Sequence, residues 1–359
     1  MKAKALYYSG YSPDLSGIAD RRRILHYANR RKIPLVALDK SCDIPPDSIL
    51  VVTSSSDLAY WARFRARRTD IKLYLDVVDG IHGESSALKD FIRGCSYVAS
   101  GRISTFPRGF RGILKTYVGY FDGIVCSCVE QAAAWSRLFP GPIFDILDFH
   151  EEIDSRADVS GVKERTGIFW EGLPYTLKHF ENLKPFLQVI ADDSRILEIC
   201  TSLNQKRYLN RYLALDPRKI MRKAARESNV QFCITKWNRH SIGEVSSRCQ
   251  LGVIPMSLGK SYDHLKAENR LLIMWKLGLP VLTSPLESYL RVQKESGIDF
   301  VCLDNAEWIK KYKLLTLDLE FREQYLQLAS TYLQKNHSES LLLRKWDNVI
   351  SCNSSENLY

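Results

Sequence analysis

Four short stretches of this sequence carry side chains whose types and spacing suit chemistry on a charged, polar ligand. The first is Lys266-Ala-Glu-Asn269-Arg270. Apolar residues follow it at helical spacing, so a helix is expected over 266–277. Lys266 would stand at the helix start, with Asn269 and Arg270 one turn on. Cations at the positive end of a helix dipole form an anion site that needs no metal. The plain alternative is a helix start with solvated charges. The second stretch is Trp170-Glu171-Gly172, after an apolar run, where Gly172 permits close backbone approach to a ligand. The third is Lys236-Trp237-Asn238. Lys236 suits a phosphate and Trp237 suits stacking, or else the tryptophan simply packs. The fourth is Asp79-Gly80-Ile81-His82-Gly83-Glu84. Asp79 and His82 fit proton transfer or hydrogen bonding to a hydroxyl-rich substrate. Otherwise Asp79 caps the next helix and His82 is an exposed loop residue. Asp14 and the loop around Gly17 come second for that role.

Each stretch follows an apolar run, and the runs alternate with helical patterns. Strands are expected at 3–8, 34–38, 48–53, 72–77, 123–127 and 143–147, with helices at 18–31, 57–68, 110–121 and 129–138. A polar, irregular stretch at 150–163 reads as a linker. The alternation then restarts. Strands are expected at 167–170, 195–199, 230–234, 251–254, 280–283 and 300–303. Helices are expected at 177–190, 208–227, 240–248, 266–277, 286–296 and from 306 onward. This predicts an α/β protein of two doubly wound, Rossmann-like domains facing across a cleft. The first spans 1–150 and the second 151–335, with a terminal helix and polar tail at 336–359. Ligands in such sheets bind beyond the carboxyl ends of the strands, where all four stretches fall.

Composition agrees with a two-domain globular chain. The sequence has 359 residues, 45% of them hydrophobic and 26% charged. The net charge is +10. Basic clusters lie at Arg21-Arg22-Arg23, Arg30-Arg31-Lys32 and Arg63 to Arg68. They suit an anionic lipid, a phosphorylated acceptor or nucleic acid, or they are solvated helix faces. The 22–31 stretch is amphipathic, either to lie on lipid or to pack on its own sheet. No nucleic-acid-binding signature accompanies the charge. The nine cysteines include no C-x-x-C pair, and Cys126-Ser-Cys128 reads as strand packing rather than zinc. A reducing, cytoplasmic setting is expected. The N-terminus is too polar for a signal peptide, and no window is apolar enough to cross a membrane.

The second half resembles the nucleotide-sugar-binding domain of GT-B glycosyltransferases of the family-four-like group. Lys266-Ala-Glu-Asn269-Arg270, an apolar helix, then Gly278-Leu-Pro280-Val-Leu-Thr-Ser284 is similar to the donor-site helix and following strand of those enzymes. Cys249-Gln-Leu-Gly252-Val-Ile-Pro255 is similar to the strand before it, with Gln250 in place of the usual aspartate. Ile168-Phe-Trp170-Glu171-Gly172 resembles the strand and loop that open the donor domain. In the first half, Leu73-Tyr-Leu-Asp76-Val-Val-Asp79 and Phe121-Asp-Gly-Ile-Val-Cys-Ser-Cys-Val-Glu-Gln131 match more loosely.

The resemblance implies transfer of a sugar from a nucleotide-sugar donor to a glycan or glycolipid, in cell-surface polysaccharide or lipopolysaccharide synthesis. Lys266, Asn269, Arg270, Glu171, Gly172, Lys236 and Trp237 would bind the donor, with Asp79 and His82 on the acceptor side. It implies no cofactor and no metal, since the cations would take the charge of the leaving diphosphate. The paired glutamates of many retaining members are absent, because Leu265 and Ile273 stand in their places. Retention is the outcome expected over inversion. A polyol-phosphate transferase or a non-catalytic binding protein on the same fold are the alternatives. A peripheral position at the inner membrane face would follow from a lipid-linked acceptor.

Overall fold

The computed structural model describes residues 5–80, 86–99, 109–153, 165–203, 206–207, 213–214, 216–257 and 263–351. The chain divides into two compact units. One comprises 1–150, 260–267 and 338–359, and the other 151–259 and 268–337. Most of the expected linker lies outside the described residues.

The first unit is built on β1 (Leu6–Ser9), β2 (Leu35–Ala37), β3 (Ile49–Thr53), β4 (Lys72–Val77), β5 (Gly123–Cys126) and β6 (Ile143–Asp145). They form one parallel sheet in the order β2-β1-β3-β4-β5-β6. Side chains alternate between its two faces, and both faces are buried. Leu50, Val52, Leu73, Leu75 and Ile124 join one core. Leu6, Tyr8, Val51, Tyr74 and Val125 join the other.

The amphipathic 18–31 stretch packs on this sheet. Ile24 and Tyr27 are buried, and even Arg22 and Arg23 lie inside. Arg23 leaves helical dihedrals (φ −126°, ψ −106°) and turns its guanidinium to Asp76 (2.7 Å) and Asp148 (3.2 Å). Two carboxylates therefore compensate a cation that burial would otherwise make costly. The lipid-facing alternative for this stretch is overturned, because its apolar side is spent on the core.

The terminal helix Glu339–Ser351 completes the same unit. Leu342, Leu343, Trp346 and Val349 enter its core. Glu339 pairs with Arg30 and His26, Asp347 with Arg31, and Lys345 with Asp145.

The second unit holds β7 (Gly167–Gly172), β8 (Ile196–Thr201), β9 (Lys206–Arg207), β10 (Leu213–Ala214), β11 (Gln231–Lys236), β12 (Cys249–Ile254) and β13 (Val281–Thr283). Five of these form a parallel sheet in the order β11-β8-β7-β12-β13, while β9 and β10 pair antiparallel. The sheet order reverses between β7 and β12, which is the switch point where such folds bind ligands. Beneath it, the Tyr325 hydroxyl accepts from Trp275 Nε1 and Val281 N and donates to Val281 O.

Several expected elements differ. The helix expected at 208–227 begins at Pro217. Asp216 caps it, accepting from Arg218 N at 2.9 Å, and a proline is tolerated only in the first turn. The strand expected at 300–303 is a single bridge between Thr283 and Val301. A helix at Ala87–Ala99 was not expected, because its apolar side is interrupted by polar residues. Cys126 and Cys128 are buried in or beside β5, and burial pushes the Cys126 thiol up to about 12.

The helix expected from 266 starts only at Asn269, with Glu268 at the cap position. The preceding turn, Asp263–Leu265, is held by the first unit. Leu265 lies over Gly80, where a Cβ would come within 2.4 Å of its own Cβ. Gln131 Nε2 donates to Leu265 O (2.8 Å) and Val78 O (3.0 Å). These tertiary contacts outweigh the helical preference of the local sequence.

Candidate functional site

In the second unit the site forms at the ends of β7, β8 and β12. Arg270, in the first turn of the helix Asn269–Lys276, reaches back to β7. Its Nη2 donates to Glu171 O, and its Nε lies 3.7 Å from the Glu171 carboxylate. The guanidinium rests 5.3 Å from the Trp170 ring centroid, a cation–π geometry.

Gly172 is required at the end of β7. Its φ is +154°, and a Cβ there would meet Arg270 Nη2 at 3.0 Å. Thr201 at the end of β8 ties the edge together. Its hydroxyl donates to Gly172 O (2.6 Å), and its carbonyl accepts from Trp237 N (2.9 Å).

A second charged pair adjoins this one. Glu268 is buried and bonds Arg291 Nη2 at 2.7 Å. The Tyr289 hydroxyl is pushed up to about 12 by burial, with Arg270 opposing and Glu268 and Glu171 adding. Glu171, Arg270, Glu268 and Tyr289 therefore share one electrostatic neighbourhood.

Lys236 ends the edge strand β11 and Trp237 follows it, with β8 between β11 and β7. Two strand spacings amount to about 10 Å. Lys236 is exposed and Trp237 half-buried, so they flank the Arg270 cluster without joining it.

Lys266 corrects the sequence reading. It belongs to the first unit, ahead of the helix start, and does not share a helical turn with Asn269 and Arg270. Its charge acts on Asp79 instead. Asp79 follows β4 and keeps solvent-accessible surface. Crowding by the surrounding protein raises its carboxyl pKa, while Lys266 and Arg93 pull the other way. Gln131 explains the pairing. It holds Val78, one residue before Asp79, and Leu265, one residue before Lys266. Its Oε1 accepts from Ser127 N (2.9 Å). His82 and Glu84 lie outside the described residues.

The loop after β1 is a second feature of this unit. Asp14 makes a local turn with Ser16, accepting from its N and Oγ (3.2 and 2.8 Å), and these bonds lower its pKa. The organising carboxylate is Asp20, which the sequence reading missed. Fully buried, it accepts from the Tyr8 hydroxyl, Tyr11 N, Ser12 N and Ser12 Oγ, all within 3.0 Å. A Cβ at Gly17 would meet Asp20 Oδ2 at 2.5 Å. The Tyr11 hydroxyl donates to Asp76 O and accepts from Val78 N (2.9 and 3.0 Å). A cavity of about 330 Å³ opens here, with Ser9, Ser12, Ser55, Tyr11 and Leu38 in its wall and no charged side chain. The only sequence signal was a glycine–aspartate pair three residues apart.

This architecture is the GT-B fold. Solved structures similar to the chain include TarM from S. aureus, bound to UDP, fondaparinux and α-GlcNAc-glycerol. It shows a TM-score of 0.58 and 14% identity over 86% of this chain. WaaG, described as a glycosyltransferase of lipopolysaccharide biosynthesis, aligns at TM-score 0.58 and 10% identity, covering 96% of this chain and 99% of its own. The pneumococcal O-GlcNAc transferase GtfA, with UDP and GlcNAc, aligns at 0.53 and 10% identity over 85% of this chain. The chain spans about half the length of the TarM and GtfA structures, 55% and 56%. No protein-family model and no curated protein matches the sequence.

Proposed function

We propose that the protein is a glycosyltransferase that moves a sugar from a nucleotide-sugar to a glycan or glycolipid acceptor, in cell-wall or lipopolysaccharide glycan synthesis. The observation that carries this reading is Arg270, held against Glu171 and Gly172 at the switch point of a GT-B unit. A cation fixed there meets the diphosphate where negative charge grows as the bond to the sugar breaks. Asn269 adds a hydrogen-bonding amide beside that cation, Lys266 stands with Asp79 on the acceptor side, and the reaction runs without metal or cofactor. Glu171 or Glu268 supplies the ribose-binding carboxylate that the absent glutamate pair leaves open. Lys236 and Trp237 take the outer phosphate and base.

Asp79 and His82 serve the acceptor side. The uncharged cavity behind Asp20 suits a neutral, hydroxyl-rich acceptor better than a phosphorylated one. The outcome is retention, and the work takes place at the cytoplasmic face of a membrane.

The neighbours that hold UDP and sugars support the reading through their shared fold. Calorimetry with UDP-, GDP-, TDP-, CDP- and CMP-sugars tests it. One of them should bind, and turnover should release the nucleotide. Arg270→Ala should cut kcat/KM at least about 100-fold, the scale of losing one charge-stabilising donor, with the fold intact by circular dichroism. Absence of binding to every donor would overturn the proposal. Phosphate in the product linkage would point instead to a polyol-phosphate transferase.

A further inference from the structure

The second unit holds a charge that the Arg270 site does not use. Arg322 lies in the helix Leu319–Asn336, on the inward face with Tyr325, Ala329 and Tyr332. It is 2% exposed. Its Nε and Nη2 are enclosed and have no hydrogen-bond partner among the described residues. The charge acting on it has its own sign. Burial, and then Arg165, push the guanidinium pKa down to about 10. Arg23 makes the contrast, because it is equally buried but is met by Asp76 and Asp148. A buried cation without a counter-charge is costly, so its presence needs an explanation.

Two further arginines stand at one end of the same unit's sheet. Arg165 precedes β7 and Arg195 precedes β8. Both are half-buried, and Arg195 Nη1 donates to Arg165 O at 3.0 Å. Burial and Glu198 raise the Cys249 thiol pKa while Arg248 and Arg165 oppose, so the Arg165 charge also reaches the start of β12. Acids nearby are already engaged. Glu198 pairs with Arg248 at 3.4 Å, and Asp193 accepts from the Tyr312 hydroxyl at 2.8 Å. Gly172 and Thr201, which frame the Arg270 site, lie at the other ends of β7 and β8. Six residues of strand span about 20 Å, so the two groups of cations are separate.

We propose that Arg322 and Arg165, with Arg195 beside them, bind a phosphate-type oxyanion at the amino ends of β7 and β8. A tetrahedral dianion presents several acceptor oxygens and suits two guanidinium groups at once. A monocarboxylate would answer only one of the charges. Bound there, the anion supplies the counter-charge that Arg322 lacks and stabilises the second unit by mass action. Such a site does not depend on glycosyl transfer.

Calorimetry on the full chain carrying Arg270→Ala, which silences the other cation site, tests it. Inorganic phosphate should bind saturably, beyond a chloride control of equal ionic strength, and should raise the thermal midpoint of the chain. Glycerol phosphate separates the sources of the anion. Tighter binding than inorganic phosphate points to a phosphorylated metabolite and equal or weaker binding to the free ion, and either supports the site. Arg322→Met should weaken binding at least about tenfold, the scale of one charge-assisted hydrogen bond. Arg165→Met, at a half-buried position, should do the same with the circular dichroism unchanged. Arg322→Met should also melt no lower than its parent in chloride alone, since it removes a buried charge that has no counter-charge. Absence of saturable binding of both phosphates, or binding by both variants like their parent, would overturn the proposal. So would a lower melt of Arg322→Met in chloride alone, which would place its counter-charge within the chain.

Discussion

At the residue scale, the chemistry depends on how closely backbone and charge approach. At Gly172 the φ of +154° strains any side chain, and a Cβ would crowd Arg270 Nη2 at 3.0 Å. Gly172→Ala should therefore displace the guanidinium and weaken donor binding about tenfold, roughly 1.4 kcal/mol, as read by calorimetry. Asp79 carries a pH signature. Its carboxyl pKa is raised by the crowding around it, so it protonates above the usual carboxylate range. If the charged form serves turnover, kcat/KM falls as pH drops through that raised value. Asp79→Asn should remove this acid limb from the pH–rate profile and lower the plateau. An unchanged limb in the variant would take Asp79 out of the mechanism. Neither residue is singular by type, and both acquire their role from a neighbour distant in sequence.

At the element scale, the turn Asp263–Leu265 and the end of β4 are fastened by one side chain. Gln131 is fully buried and uses its carbonyl and amide together. Gln131→Leu removes three hydrogen bonds and leaves buried backbone groups unsatisfied. The expected cost is about 2–3 kcal/mol of stability, measured by urea denaturation. It should also release the segment carrying Lys266, so kcat should fall more than donor affinity, which the second unit supplies. Equal losses in kcat and affinity would make Gln131 structural only. The sequence pointed to Gln131 through a loose motif match but not to its partners, because Leu265 and Val78 are 134 and 53 residues away.

At the scale of the whole chain, the C-terminus returns to the first unit. The helix Glu339–Ser351 contributes four side chains to that unit's core and ion pairs to Arg30, Arg31 and Asp145. Burial of four large apolar side chains is worth roughly 6–12 kcal/mol, comparable to the net stability of a domain, about 5–15 kcal/mol. A chain ending at His337 should therefore lose the cooperative melt of its first unit, seen by scanning calorimetry. Trp346→Ala alone should cost about 3–5 kcal/mol. A truncated chain with two intact transitions would show the helix to be dispensable.

The sequence by itself determined the layered α/β class and most strand positions, since runs such as Lys72–Val77 carry their burial pattern locally. A family resemblance also named Arg270 and Gly172 together, and the structure brings the two into contact. Tertiary structure decided what local pattern does not encode. It set the helix start at Asn269 rather than Lys266, because Leu265 is anchored on Gly80 and Gln131. It buried the 22–31 face, because Asp76 and Asp148 neutralise Arg23. It left Leu88, Phe91 and Ile92 outside, because Tyr97 rather than they meets Phe110. Periodicity tells which residues share a face, and only the packed neighbours tell where that face points.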